Sequence, residues 1–495
     1  MSTREHFIFK SNDVEQLLVA ARQAAQDRDF LRSIELLEAA AGRAPKNPNV
    51  FFSLGTMYGK RYDFVAAEKS FEQAVELSPE AGQALITAGL RSMTMKKEAL
   101  AKKYFTRATA VPDPKALAFA GLAEAHWTLK EFPEAKDSVE RALLLEPGCV
   151  PALLMHARLL RCAGELKAAE LILTRLADDT ERKLGMRIAA GCELARVLDL
   201  QKNYEAAMEA AVKAKSLANP PEHLSRSFAR LCEYRRSMEE AVLANKLGKW
   251  FQVEEPPVPI VFVGGRAYGS EDVGIEQALA AHEDIFYLED SRIFLDEVYF
   301  PVKKQFPPGT PFISIFDSLA PERLREMRGV FLRRNENFLQ KPVGSRLIVE
   351  KNHVLNTLLL ARIRVFPEAR LMMTMRDPRD AVLESFMQNQ PVNPCSCGFL
   401  SLAGSVKENV AAMKYWCNVL AVAGRPHLQI KLEEVTGKGD EVSNEVFSFL
   451  KVRPVSSSAG KPAGHAWPIG NWKNYQRYLQ PYLDELNKLA EEFGY

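Results

Sequence analysis

The chain has no run near the ~18 apolar residues that a membrane-spanning helix requires. Its opening residues, MSTREHFIFKSNDVEQ, contain no apolar stretch of signal-peptide length. Cysteine is scarce: seven in 495 residues, at 149, 162, 192, 232, 395, 397 and 417. An odd, scattered set argues against a disulfide framework and fits a reducing compartment. No charge sign dominates either, since 65 Lys and Arg face 63 Asp and Glu for a net +2. No overall field therefore recruits nucleic acid or a membrane, and any anionic ligand must be held locally. With 47% hydrophobic and 26% charged residues, collagen-like and largely disordered classes are excluded. The expectation is a soluble, cytoplasmic protein of about three domain equivalents.

What is present first is repetition. Pro45, Pro79 and Pro147 stand 34 and 68 residues apart, one and two tetratricopeptide periods. On a 34-residue frame from Pro48, Leu54, Gly55 and Tyr58 fall on a first helix, and Ala67, Phe71 and Ala74 on a second. Gly89, Ala101, Phe105 and Ala108 repeat those positions, and Ala135, Ala142 and Pro147 do so again. Ala40 and Pro45 fit an earlier unit, Ala169 a fifth, and Ala207, Ala211 and Ala214 a sixth after a short insertion. Small residues let paired helices approach, an aromatic fills the gap to the next hairpin, and proline ends the second helix. Residues 14–219 thus resemble about six tetratricopeptide repeats. Such an array serves equally as a concave face for a peptide or protein segment and as a scaffold or dimerisation surface. Residues 220–252 read as a capping helix and linker.

The character changes at the proline-rich VEEPPVP, 253–259. Residues 259–263 form a short β-branched run followed by Gly264-Gly265 and a helical pattern from Val273 to His282. Strand, glycine turn and helix together aim backbone N–H groups at a phosphate. Further strand patterns lie at 346–350, 369–375 and 427–431 with helical patterns between them. The second half is therefore expected to be α/β with a mainly parallel sheet.

The order PIVFVGG, EKNH, FPEARLMMTMRDPRDAVLESF and GNWKNYQRYL resembles the bacterial tetratricopeptide-repeat sulfotransferases and their relatives, the tyrosylprotein sulfotransferases. The similarity runs over 257–495, with RDPRD its most specific piece. It implies a P-loop-type fold that transfers a sulfuryl group from 3′-phosphoadenosine 5′-phosphosulfate (PAPS) to a hydroxyl, without a metal. The hydroxyl acceptor would be presented by the repeats, for instance as a peptide tyrosine.

The resemblance assigns residues one by one. Gly264, Gly265, Arg266, Gly269 and Ser270 match the phosphosulfate loop, with Arg266 one position early and Glu271 where the family has a threonine. Arg376 matches the 3′-phosphate arginine, while the family's helix serine falls at Glu384 with Ser385 beside it. Lys351 matches the lysine beside the transferred group, where its charge would offset charge building on the bridging oxygen. Asp290, next to Glu289, falls where the tyrosylprotein enzymes carry their base, a role open to either carboxylate. Trp472 would stack on adenine and Lys473 would meet a phosphate. The rival readings are plainer: Glu289 and Asp290 at a helix start, Trp472 in a core, Cys395 and Cys397 as reduced loop thiols rather than metal ligands.

Two functions stand against each other, and the enzyme is the favoured one because the RDPRD arginine, the lysine and the C-terminal loop are retained together. One is the PAPS-dependent sulfotransferase. The other is a non-catalytic repeat protein whose sulfotransferase-like domain has lost its donor site, for which Glu271 and Glu384 speak. A P-loop kinase ranks below both, because no GK[ST] follows the glycines.

Overall fold

The computed structural model describes residues 14–243, 247, 250, 257–265, 273–289, 291–307, 309–390, 392–437, 439–455 and 467–495. The chain divides into two compact units, Met1–Ile172 with Glu336–Lys341, and Leu173–Asn335 with Pro342–Tyr495.

The first unit is a run of helical hairpins: α1 Val14–Gln26, α2 Phe30–Arg43, α3 Pro48–Lys60, α4 Phe64–Leu77, α5 Ala81–Thr94, α6 Glu98–Thr109, α7 Ala116–Thr128, α8 Phe132–Leu145, α9 Val150–Cys162, and the start of α10 Leu166–Asp178. The repeat is written in the backbone as well as in the side chains. Arg28, Tyr62, Lys96, Lys130 and Gly164 all have positive φ, and each lies 34 residues after the one before. Each sits in the tight turn between the two helices of a hairpin, where one left-handed residue reverses the chain. Asp29 and Asp63, one period apart, then cap the second helices by accepting the N–H groups of Arg32 and Ala66. The small positions have a visible cause. A Cβ on Gly89 would lie 2.7 Å from the Phe105 ring, which is wholly buried. Gly55 and Phe71 repeat that pairing one period earlier.

The second unit holds the sixth hairpin, α11 Leu184–Leu200 and α12 Tyr204–Ser216, and the long α13 Glu222–Leu243. The next left-handed turn residue is Lys202, 38 residues after Gly164, and α11 has 17 residues where other first helices have 13 or 14. The insertion anticipated from sequence is thus one extra helical turn. Close packing persists, since a Cβ on Gly191 would stand 2.7 Å from that of Ala214.

Five parallel strands follow: β1 Ile260–Gly264, β2 Ile285–Glu289, β3 Leu347–Lys351, β4 Arg370–Met375 and β5 His427–Lys431, in the order β2-β3-β1-β4-β5. Four match strand patterns read from sequence. β2 was not among them, and Glu289 ends a strand instead of starting a helix. One face of the sheet is covered by α14 Val273–Ala281 and, further along the chain, by Gly439–Leu450, which bury Leu279, Val446 and Phe447 against Val261, Val349 and Met372. Against the other face lie α15 Pro321–Leu339 and α16 Leu359–Val365, where Phe331, Phe366 and Phe262 meet edge-to-face. Near α15, Trp250 is fully buried, donates to Asp317 at 3.0 Å and packs on Phe312 and Phe316. The other helices of ten or more residues are α17 Pro378–Met387, α18 Leu402–Ala423, α19 Gly439–Leu450 and α20 Leu483–Glu492, with shorter helical turns between.

α13 belongs with this sheet unit. Its Arg235 forms a two-pronged, largely buried pair with Glu408 of α18 (2.9 and 3.1 Å), and Glu239 accepts from Asn418. The segment expected to cap the repeats packs on α18, and the second compact unit begins at Leu173.

Two expectations follow. Removing residues 1–250 would strip Trp250, Arg235 and Met238 from a formed core, whereas a chain starting at Leu166 keeps the second unit whole. The longer fragment should be soluble with a cooperative urea transition, and the shorter insoluble; equal behaviour of both would contradict this packing. The second concerns Glu350 and Arg362, fully buried and paired at 2.8 Å, with the guanidinium 3.9 Å over Phe262. Burial raises the Glu350 carboxyl and lowers the Arg362 guanidinium. Glu350→Leu alone should destabilise the second unit by ~3–5 kcal/mol, while Glu350→Leu with Arg362→Met should be near neutral, as measured by urea titration.

Candidate functional site

Parallel α/β sheets bind ligands beyond the carboxyl ends of their strands. At this edge the structure brings together Gly264, which ends β1, with Gly265 after it, Glu289 and Lys351, which end β2 and β3, and Arg376 just after β4. Arg266, Gly269, Ser270, Glu271 and Asp290 lie outside the described residues.

The two glycines answer to crowding within the fold. A Cβ on Gly264 would overlap Asn356 Oδ1 and the Trp416 ring, and those two side chains hydrogen-bond each other at 3.2 Å. Gly265 has φ +109°, and a Cβ there would stand 2.5 Å from Met373 Cγ and 3.0 Å from the Thr374 carbonyl. Both positions demand glycine whether or not a phosphate approaches.

Lys351 is buried, and its Nζ pairs closely with Glu276 in the first turn of α14. Its second carboxylate is Glu289 at 3.8 Å, directly across the β2–β3 register. Glu289 is exposed and Glu276 is not. Beside them lies a cavity of about 30 Å³, lined by Glu276, Tyr287, Lys351 and Thr374 over an apolar floor, with room for one or two waters. The lysine expected to face a transferred group thus sits between two carboxylates. Glu276 was not among the candidate site residues; what could have exposed it is its place in the first turn of the helix that follows the glycines.

The RDPRD block shows the same inward pairing. Arg376 is 4% exposed. It donates through Nη1 to Glu384 Oε2 at 2.9 Å, and through Nη2 to the carbonyls of Trp467 (2.8 Å) and Pro468 (3.0 Å). Ser385, one step along α17 and so ~100° round, donates to the Val382 carbonyl and accepts from Asn409. The resemblance would place Arg376 and Ser385 on one phosphate, yet here they face different partners. Glu384 stands on the arginine instead. Asp377 caps α17 through the Arg379 N–H and receives that residue's guanidinium at 2.8 and 2.7 Å.

Asp380, which sequence reading passed over within the motif, organises the C-terminal segment. It accepts the backbone N–H groups of Gly470 (2.6 Å) and Trp472 (2.8 Å). Gly470 at φ +74° allows the two amides to converge on one carboxylate. Burial is the largest influence on Asp380 and raises it to about 6, against the opposing pull of Arg376 and the two amides. Trp472 is half-buried, with the Arg379 guanidinium 4.1 Å over its ring, and Lys473 is exposed. The aromatic expected to stack on adenine has an internal cation against it.

In the first unit, α7 and α8 enclose a groove of about 390 Å³ lined by Phe119, Leu122, His126, Glu134, Asp137 and Arg141. All seven cysteines are free thiols, and burial raises Cys395 to about 11, far from a reactive thiolate. Among the described residues no group of three or more His, Cys, Asp or Glu side chains is placed to hold a metal. Nor is any described helix long and apolar enough to cross a membrane.

No family model matches the chain. Human protein O-mannosyl-transferase TMTC3 is 32% identical over 130 residues, which is 26% of this chain and 14% of that protein. The chain thus spans about one-seventh of the length of that relative. Among solved structures, the type IV pilus biogenesis factor PilW is 21% identical with a TM-score of 0.32, over 41% of this chain and 92% of that one. YrrB, a repeat protein with an unusual peptide-binding site, is 19% identical with a TM-score of 0.27, over 37% and 91%. Among the described residues, the chain carries helical hairpins whose turns recur at the 34-residue tetratricopeptide period, and a small five-stranded parallel sheet in its C-terminal part.

Asp380 predicts a pH dependence. Its folded-state value exceeds the ordinary 3.8, so its stabilising contribution is complete below 3.8 and is lost as pH rises through about 6. Asp380→Asn removes that titration and keeps one acceptor for the amides. Relative to the parent, the variant's stability should rise between pH 4 and 7 by at most on the order of 3 kcal/mol. A difference constant with pH, in urea titrations of both chains, would contradict it.

Proposed function

We propose that this chain is a repeat-based interaction protein that binds a protein or peptide segment on its helical hairpins. Its α/β unit is a sulfotransferase-like domain that has given up its nucleotide site. The observation that carries this is the Arg376–Glu384 pair. A 3′-phosphate would have to displace a carboxylate buried at 2.9 Å on the very arginine it needs. Breaking such a pair costs ~3–5 kcal/mol, a factor of several hundred or more in affinity. Lys351, shared by Glu276 and Glu289, supports the same reading at the sulfuryl end.

One feature favours the second reading, a transferase that uses PAPS without a metal. Glu289 and Lys351 meet across neighbouring strand ends with the carboxylate exposed. That arrangement suits a base taking an acceptor's hydroxyl proton beside a stabilising cation, with Asp290 next in the chain. Arg266, Gly269 and Ser270 would then hold the phosphosulfate, and Trp472 and Lys473 the nucleotide.

Calorimetric titration with 3′-phosphoadenosine 5′-phosphate separates the two. The parent should give no binding heat at millimolar nucleotide. Glu384→Ser, which takes the carboxylate off Arg376 Nη1 and restores a hydroxyl while Nη2 keeps its two carbonyl partners, should bind at least ~100-fold more tightly than the parent's limit. Tight binding by the parent would hand the site to the transferase reading.

A further inference from the structure

Residues 467–475 are held from two sides. From the sheet side, Arg376 donates to the carbonyls of Trp467 and Pro468, Asp380 accepts the amides of Gly470 and Trp472, and Arg379 lies on the Trp472 ring. From the α11–α12 hairpin, Asp199 accepts Asn471 Nδ2 at 2.9 Å and Tyr475 Oη at 2.6 Å. Tyr204 meets the Tyr475 ring edge-on at 5.5 Å, and Arg196 stands 5.9 Å from the centre of the Trp467 ring. Asp199, Asn471 and Tyr475 are all buried, whereas Ile469 at the crest of the segment is 53% exposed.

We propose that residues 467–475 are a strap over the Arg376–Glu384 pair and that Asp199, on the last helical hairpin, is its latch: releasing Asp199 lifts the strap and opens Arg376 to solvent anions. Three features support this. Arg376 uses two of its donors on strap carbonyls, so the strap covers it in direct contact. Between its two buried aromatic ends, Trp467 and Tyr475, the strap is seated by directed hydrogen bonds and by the Arg379 contact on Trp472. Finally, Asp199 comes from an element more than 270 residues earlier, so movement of that hairpin is passed to the strap through one carboxylate. Such a joint makes access to Arg376 conditional on the hairpin's position. The inference rests on this geometry and stands apart from the nucleotide titration.

Arginine modification by phenylglyoxal, mapped by mass spectrometry on the full chain, tests it directly. In the parent, Arg376 should be protected, as should the wholly buried Arg362. Asp199→Ala should raise modification of Arg376 at least tenfold while Arg362 stays protected, which a general loosening of the fold would not do. Asp199→Asn keeps an oxygen for Tyr475 and should restore parent-like protection. Should Asp199→Ala fail to fold, Tyr475→Phe removes a single latch donor and should still raise Arg376 modification above the parent's. A folded Asp199→Ala or Tyr475→Phe chain with Arg376 as protected as in the parent overturns the proposal. So does equal exposure of Arg362.

Discussion

A guanidinium at the end of a buried strand cannot be left without a counter-charge, and much of the second unit is arranged around that constraint. Desolvating a full charge costs several kcal/mol even after relaxation, and only a partner at hydrogen-bond distance offsets it. In a protein that binds phosphate there, the ligand supplies the negative charge and the empty site is open to water. In this chain Arg376 is covered, and the charge is supplied by Glu384 from the next helix. Ser385 is then free to satisfy Asn409, and the C-terminal segment is free to lay its carbonyls on the remaining guanidinium donors.

The same logic recurs at Lys351. A lysine at the end of a central strand is costly when buried, and Glu276 from the helix after the glycine turn lies against it. Among the described residues, Lys351 and Arg376 at the strand ends are each met by a carboxylate of the same chain. The glycines fit this picture. Gly264 and Gly265 are required by Trp416, Asn356, Met373 and the Thr374 carbonyl, so their presence says nothing about phosphate binding.

How much of this was legible depended on whether the signal was periodic or paired. The hairpins were readable because a 34-residue frame recurs many times, and the left-handed residues 28, 62, 96, 130 and 164 show that the backbone keeps the same count. Strands β1, β3, β4 and β5 announced themselves as short apolar runs between helical patterns. β2 did not, because Ile285–Glu289 follows its helix with only a brief polar break and ends in acids that also suit a helix start. Long-range pairing was illegible altogether. Nothing in EPPVP hints that Trp250 and α13 lie on the sheet side of the chain's division, since that depends on Asp317 and Glu408 far away. Of the site, the departure at Glu384 was visible in the residues, but only the fold shows that it lands on Arg376.

The extra turn in α11 connects these themes. Uniform 34-residue units still hold other parts of the chain: Tyr62, Phe64 and Lys97 grip Phe338 in the first unit. Lengthening the first helix to 17 residues moves its last turn beyond the uniform frame, and Asp199 lies in that turn. There it meets Asn471 and Tyr475 while the hairpin keeps its small-residue contact at Gly191 and Ala214. The carboxylate's own burial raises it, a cost countered by the two hydrogen bonds it accepts. A one-turn insertion therefore converts a generic repeat into an element with a specific, desolvated polar contact. Such contacts fix a single arrangement where apolar packing alone would tolerate several. The hairpin and the C-terminal segment are held in one register for that reason, and the cover over Arg376 depends on it.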